Sequence, residues 1–182
     1  MASRSLDDLQ DHIKEKALSL LDHCNNENLN ILVYCTLRPL DEQARLFRQG
    51  RTVKQIEAKA EELRNRWERP DLADLLLSVG PQTGSRVTYA GPGQSMHNYG
   101  LAFDAVPLRA SKPVWQTTKP EDKELWLLYG RLGEGEGLEW AGNWKRFREY
   151  PHMQEKGARW KELITQRDEV APFPPTGLRS IS

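Results

Sequence analysis

Between Ser5 and Cys24 the apolar residues Leu6, Leu9, Ile13, Ala17, Leu20, Leu21 and Cys24 return every three or four positions, the spacing of one helix face. Ser5 stands where an N-cap belongs and Asp7 and Asp8 fall in the first turn, so the pattern predicts one helix of roughly five turns. After a polar break from Asn25 to Asn28 comes LNILVYC, short, apolar and β-branched, which predicts a buried strand ending near Thr36. Arg38-Pro39 stops it, because proline has no N–H to give a ladder. A short helix over 41–49 closes at Gly50. A helical hairpin over 53–79 follows, with Ile56, Ala60, Leu63 and Trp67 on one stripe and a charged remainder that reads as solvated surface.

From Gly80 to Gly93 the chain turns to Gly, Pro, Ser and Thr, with RVTYA as one brief extended piece. Residues 100–106, GLAFDAV, place Leu101, Phe103 and Ala105 on one face and Ala102 and Asp104 on the other. That is a strand with its apolar side on a core and an aspartate emerging opposite. Pro120 opens another helix, the glycines at 133, 135 and 137 end it, and LEWAG reads as a strand. A last helix is expected near 158–167, before a proline-rich segment without periodicity that reads as a wrapped or mobile tail. The pattern describes an α+β fold, a small mainly antiparallel sheet with helices packed on one face. It forms one domain over 1–168, with the hairpin at about 53–79 as an insertion and a tail at 169–182.

Composition narrows the function. The 182 residues carry 26 basic and 26 acidic side chains and 38% hydrophobic residues, a balance that suits one soluble globular domain. No stretch of eighteen apolar residues occurs and the N-terminus turns acidic at once, so neither a membrane span nor a signal peptide is expected. Zero net charge leaves no basic footprint for nucleic acid. Cys24 and Cys35 form neither a CxxC motif nor a thiolate clip and read as core residues, so any metal must be held by nitrogen and oxygen.

The four histidines divide into two pairs. His12 and His23 lie on the first helix among ordinary surface positions. His97 stands in a Ser-Met-His-Asn-Tyr-Gly turn directly before the strand of Asp104, and His152 follows Pro151, three residues after Glu149. Two imidazoles and a carboxylate are a common ligand set for catalytic zinc, with a further carboxylate as base, though such residues near turns also serve as backbone hydrogen-bonding groups. HExxH is absent. Trp140 and Trp144 flank Gly142 and could line a groove or fill a core, whereas Trp67, Trp115, Trp126 and Trp160 read as packing.

Ser95 to Asp104, SMHNYGLAFD, resembles the SxHxxGxAxD signature of the zinc peptidases grouped with lysostaphin, D-Ala-D-Ala peptidases and hedgehog, and Glu149-Tyr150-Pro151-His152 resembles their second motif. The nearest likeness is to peptidoglycan L-alanyl-D-glutamate endopeptidases of phage endolysin type, whose HNYGLAxD, GLxWGGxW and acid-x-Pro-His blocks reappear in order as HNYGLAFD, GLEWAGNW and EYPH. The likeness covers roughly 29–154 outside the hairpin.

The resemblance implies one zinc ion held by His97, Asp104 and His152 on the sheet face opposite the helices. Glu149 would take a proton from the attacking water and return it to the leaving amine, and Arg38 would steady the oxyanion. Ser95 and Gln43 would orient substrate or the site, and Trp140 and Trp144 could line a groove for the glycan or stem peptide. The expected substrate is the stem peptide of peptidoglycan, cut between L-Ala and D-Glu by a monomeric lysin. That lysin would wait in the host cytoplasm for holin-mediated release to the wall, with no stable membrane association. The base is often aspartate in these endopeptidases, and Glu149 instead resembles the D-Ala-D-Ala branch. A D-Ala-D-Ala dipeptidase or carboxypeptidase is therefore the rival enzyme, and a zinc-stabilised wall-binding module the rival of another class.

Overall fold

The computed structural model describes residues 1–166, so the expected proline-rich tail and Arg167, the expected last residue of the final helix, lie outside the described residues, within which that helix spans only Trp160–Leu163. In chain order the elements are α1 (Asp11–Asn26), β1 (Ile31–Cys35), α2 (Leu40–Arg48), α3 (Val53–Asn65), α4 (Pro70–Ser78), β2 (Ala102–Arg109), β3 (Lys112–Pro113), α5 (Pro120–Gly135), β4 (Leu138–Trp140), β5 (His152–Glu155) and α6 (Trp160–Leu163). They belong to two compact units. A sheet unit comprises residues 3–37 and 100–158, and a helical unit comprises 1–2, 38–99 and the described residues from 159 onward. Among the described residues no helix is long and apolar enough to cross a membrane.

The sheet unit is antiparallel throughout, in the order β1-β2-β5-β4, with β3 paired to β2. The antiparallel sheet and the helices beside it bear out the α+β expectation. β2 is its middle. Ala102, Phe103, Ala105 and Val106 are all buried, so this strand is covered on both faces and the one-sided alternation expected for it is absent.

The predicted first helix is broken in two. Ser5 does cap, its Oγ accepting from the Asp7 N–H, but it caps a single 3-10 turn, Leu6–Asp8, and α1 begins only at Asp11. Leu9 is buried in an extended conformation between them, and the Gln10 N–H donates to the Gly100 carbonyl at 3.0 Å. Gly100, at φ +66°, lies so close to the Asp8 carbonyl and the Gln10 nitrogen that a side chain there would crowd both. A tertiary contact outweighs helical periodicity here.

Helix α5 differs from expectation in the other direction, running through Gly130 and Gly133 to Gly135. A Cβ at Gly130 would enter the Trp140 indole, and one at Gly133 would meet Met153 Cε and Sδ. These glycines let the helix lie against the sheet. Gly130→Ala is accordingly expected to destabilise the protein by about 1–3 kcal/mol through overpacking, despite alanine's advantage of roughly 1 kcal/mol in a free helix. Urea unfolding with a lowered midpoint and unchanged slope would show it, and an unchanged midpoint would refute the close contact.

The helical unit builds its own core from Ala44 and Phe47 of α2, Ile56, Ala60 and Leu63 of α3, Leu72, Ala73 and Leu76 of α4, and Ile164. Thr52 and Gln55 form a capping box that starts α3, and Pro70 occupies the first turn of α4. The hairpin at 53–79 thus supplies most of a core. Trp67 and Trp160 meet edge to face at 4.9 Å on its border, as packing residues should. RVTYA forms no strand. Trp115, expected to pack, is instead 55% exposed and touches Tyr34 edge-on.

Candidate metal centre

Register places the polar residues of the sheet unit on one face. Asp104 of β2 lies opposite His152 of β5, and Gln154 of β5 lies opposite Glu139 of β4. Because side chains alternate along a strand, His152 and Gln154 share a face and Met153 points to the other. Met153 lies against Gly133 of α5, so the helices take its face and the row Asp104, His152, Gln154, Glu139 takes the opposite one.

Along this row the polar contacts are continuous. His152 Nδ1 lies 3.1 Å from Asp104 Oδ1, and His152 Nε2 lies 3.1 Å from Gln154 Oε1. The Gln154 amide donates from Nε2 to Glu139 Oε2 at 3.3 Å, which turns its oxygen toward the imidazole. An amide oxygen only accepts, so His152 Nε2 carries the proton and the Nδ1 electron pair faces a carboxylate. Two electron-rich atoms so placed need a cation between them. Burial pushes the His152 pKa down, but the hydrogen bond and charge of Asp104, with the Glu149 charge and the Gln154 contact, outweigh burial and hold it above the ordinary imidazole value. Neutral imidazole nitrogen and carboxylate oxygen are both zinc donors, and the pair fits that ion.

Glu149 and His152 sit on one anchored segment. The Glu149 N–H donates to the Ala141 carbonyl and the His152 N–H to the Glu149 carbonyl. The Pro151 carbonyl accepts from the Ala105 N–H, and the Tyr150 carbonyl accepts from Trp140 Nε1 at 2.8 Å. Trp140 itself is buried, its indole against Gly130 and Gly142, so it is a core residue and the expected groove-lining role is corrected. Trp144 is half-buried, with its indole N–H on Glu139 Oε1 at 2.6 Å and its ring 5.6 Å from that of His152.

The helical unit carries the remaining expected residues. His97 is buried in a 3-10 turn, Met96–Tyr99, and its carbonyl accepts from the Arg38 N–H at 3.0 Å. Asn98 pins the same turn, accepting from the Gly93 N–H and donating to the Arg38 carbonyl, while the Tyr99 hydroxyl donates to the Gly93 carbonyl. Arg38 Nη1 donates to Gln43 Oε1 at 2.9 Å, and Gln43 Nε2 donates to the Ala90 carbonyl at 2.7 Å. Gln43 is fully buried and holds Arg38, so its amide orients the arginine. Ser95 is half-buried and its carbonyl accepts from the Asn98 N–H. Asn98, Gln154 and Glu139 went unnoticed in the sequence. The period-two alternation of His-Met-Gln-Glu after Pro151 could have revealed Gln154 as the face-mate of His152.

The remaining histidines are surface residues, His12 on Glu155 at 2.9 Å and His23 on Glu136 at 2.8 Å. Burial pushes the Cys24 thiol up to about 12, an inert core group.

Comparison with known proteins adds four findings. The family model of D-alanyl-D-alanine carboxypeptidase matches residues 89–155, which include both sequence motifs. The peptidoglycan L-alanyl-D-glutamate endopeptidase CwlK of Bacillus subtilis is 30% identical over 151 residues, covering 81% of this chain and 73% of that protein. Among solved structures, the Serratia marcescens L-Ala D-Glu endopeptidase ChiX matches with a TM-score of 0.46 at 15% identity, over 85% of this chain and 88% of that one. The vancomycin resistance D,D-pentapeptidase VanY in complex with Zn(II) matches with a TM-score of 0.48 at 16% identity, over 86% and 76% of the respective chains. With the identity to CwlK extending over most of both proteins, the chain belongs to the D-alanyl-D-alanine carboxypeptidase family of zinc-dependent peptidoglycan peptidases.

Proposed function

We propose that this protein hydrolyses the L-Ala–D-Glu bond of the peptidoglycan stem peptide, with one zinc ion held by His97, Asp104 and His152. The observation that carries the reading is the Asp104–His152 pair, whose Oδ1 and Nδ1 lie 3.1 Å apart, with buried His152 on the segment that also bears Glu149. His97 precedes β2 directly in the chain and is the remaining nitrogen donor of the motif. Zinc at that position would supply Lewis acidity toward the scissile carbonyl and make an attacking water easier to deprotonate.

The chain's own residues do the rest. Glu149 takes a proton from the attacking water and passes it to the leaving amine, work that a carboxylate not engaged as a ligand can perform. Arg38, held by the buried Gln43, offers a fixed cation to the oxyanion of the tetrahedral intermediate. Ser95 and Trp144 are the remaining substrate-facing candidates. The bond assignment is supported by the identity to CwlK and by the order of the HNYGLAFD, GLEWAGNW and EYPH blocks. The likeness of these blocks to endolysin-type endopeptidases supports a lysin of phage or prophage origin, for which we propose a monomer held in the host cytoplasm until released to the wall.

Muropeptide mass spectrometry of sacculi incubated with zinc-loaded protein, beside a chelator-treated control, tests the bond. New L-Ala carboxyl termini and D-Glu amino termini, lost with the chelator, are the expected products. Release of D-Ala alone would replace this bond by the stem terminus, the second reading that Glu149 in place of aspartate favours. Binding to sacculi without new termini would overturn catalysis.

A further inference from the structure

The imidazole of His152 is flanked by acceptors on both sides, and the residues that bear on its tautomer lie outside the two motifs that supply the proposed metal ligands. Gln154 Oε1 approaches Nε2 at 3.1 Å, and the Gln154 amide cannot rotate to present its NH2 group without losing the hydrogen bond from its Nε2 to Glu139 Oε2. Glu139 is held in turn, because its other oxygen accepts from the Trp144 indole N–H at 2.6 Å. Indole nitrogen only donates and a carboxylate only accepts, so every polarity in the chain Trp144, Glu139, Gln154, His152 follows from its far end. Gln154 and His152 are buried, leaving water little access to replace these partners.

We propose that Gln154 and Glu139 are positioning residues that lock His152 as its Nε2–H tautomer, so that Nδ1 presents its electron pair beside Asp104 for the metal. The inference rests on the assignment of Asp104 and His152 as zinc ligands. It assigns the GLEWAGNW block a task in metal binding, with Glu139 clamping the glutamine and Trp144 clamping Glu139. Ligand histidines elsewhere are oriented by the partner of their distal nitrogen, and loss of that partner costs about 10- to 100-fold in metal affinity.

Two variants and two readouts test it. Gln154→Leu removes the acceptor at similar volume, and Glu139→Ala frees the Gln154 amide from a half-buried site. Nitrogen-15 NMR in alkaline buffer on zinc-free protein carrying Asp104→Ala, which removes the competing acceptor at Nδ1, should show His152 as Nε2–H with Gln154 and Glu139 in place and as a tautomer mixture when either is replaced. Zinc affinity by chelator competition should fall about 10- to 100-fold in Gln154→Leu and less in Glu139→Ala. Asp104→Asn, measured alongside, separates the two levels of the claim. If Asp104→Asn abolishes zinc binding while neither positioning variant changes tautomer or affinity, the relay is overturned and the ligand assignment stands. If Asp104→Asn leaves zinc affinity intact, the ligand assignment falls and the relay with it. Should Gln154→Leu not fold, Glu139→Ala decides alone, an unchanged tautomer and affinity overturning the proposal.

Discussion

Glu149→Gln should lower peptidoglycan hydrolysis by about 10²- to 10⁴-fold, the range typical of a lost general base, while zinc binding stays as in the native protein. Glutamine keeps the shape and length of glutamate and removes only its basicity. The Glu149 backbone, which carries the bonds to Ala141 and His152, is untouched by the change, so the segment bearing His152 keeps its anchor. Turnover of a defined stem peptide and zinc content measured on the same sample check both halves. Native-like turnover with zinc bound would remove Glu149 from the chemistry. Loss of zinc together with activity would make it a ligand instead.

Asp104→Asn should weaken zinc binding by more than the roughly 100-fold that loss of an outer-shell partner brings, and hydrolysis should fall to background. The substitution preserves volume in the middle strand of the sheet but replaces a charged oxygen facing His152 Nδ1 by a neutral amide. Thermal unfolding offers a readout independent of substrate. A ligand present at a thousand times its dissociation constant stabilises a folded protein by about 4 kcal/mol, so zinc should raise the native melting temperature markedly and leave that of Asp104→Asn nearly unchanged. Equal zinc-induced shifts in both proteins would place the metal elsewhere. The zinc-free proteins need comparison too, because Asp104 also raises the His152 pKa and stabilises its charged form when no metal is present.

What could be read from the chain in advance follows a physical division. β1 and α2 to α4 match their expected positions closely, because their signals are local: a β-branched apolar run, a capping box at Thr52 and Gln55, prolines at positions 39 and 70. The grouping of Asp104 with His152 is legible as an inventory of two imidazoles and a carboxylate and as the resemblance of two motifs, but not as a pattern, since no periodicity relates residues in separate strands. Where expectation and structure part, a contact distant in sequence is the cause. Leu9 and Gln10 leave the first helix for Gly100, and Gly130 and Gly133 stay within α5 because Trp140 and Met153 occupy the space their side chains would need. Trp115 and Trp140 show the same limit, one expected to pack and exposed, the other considered for a groove and buried.

The amino-acid sequence by itself determined most of the element types and the two motifs that carry His97, Asp104, Glu149 and His152, because composition and short-range spacing carry that information. Only the tertiary structure decided that Gln43 holds Arg38, that Glu139 and Gln154 stand in register with His152, and that Trp144 closes their chain. Those roles depend on strand register and on the direction of each donor and acceptor, and neither exists until residues distant in the chain have been brought together.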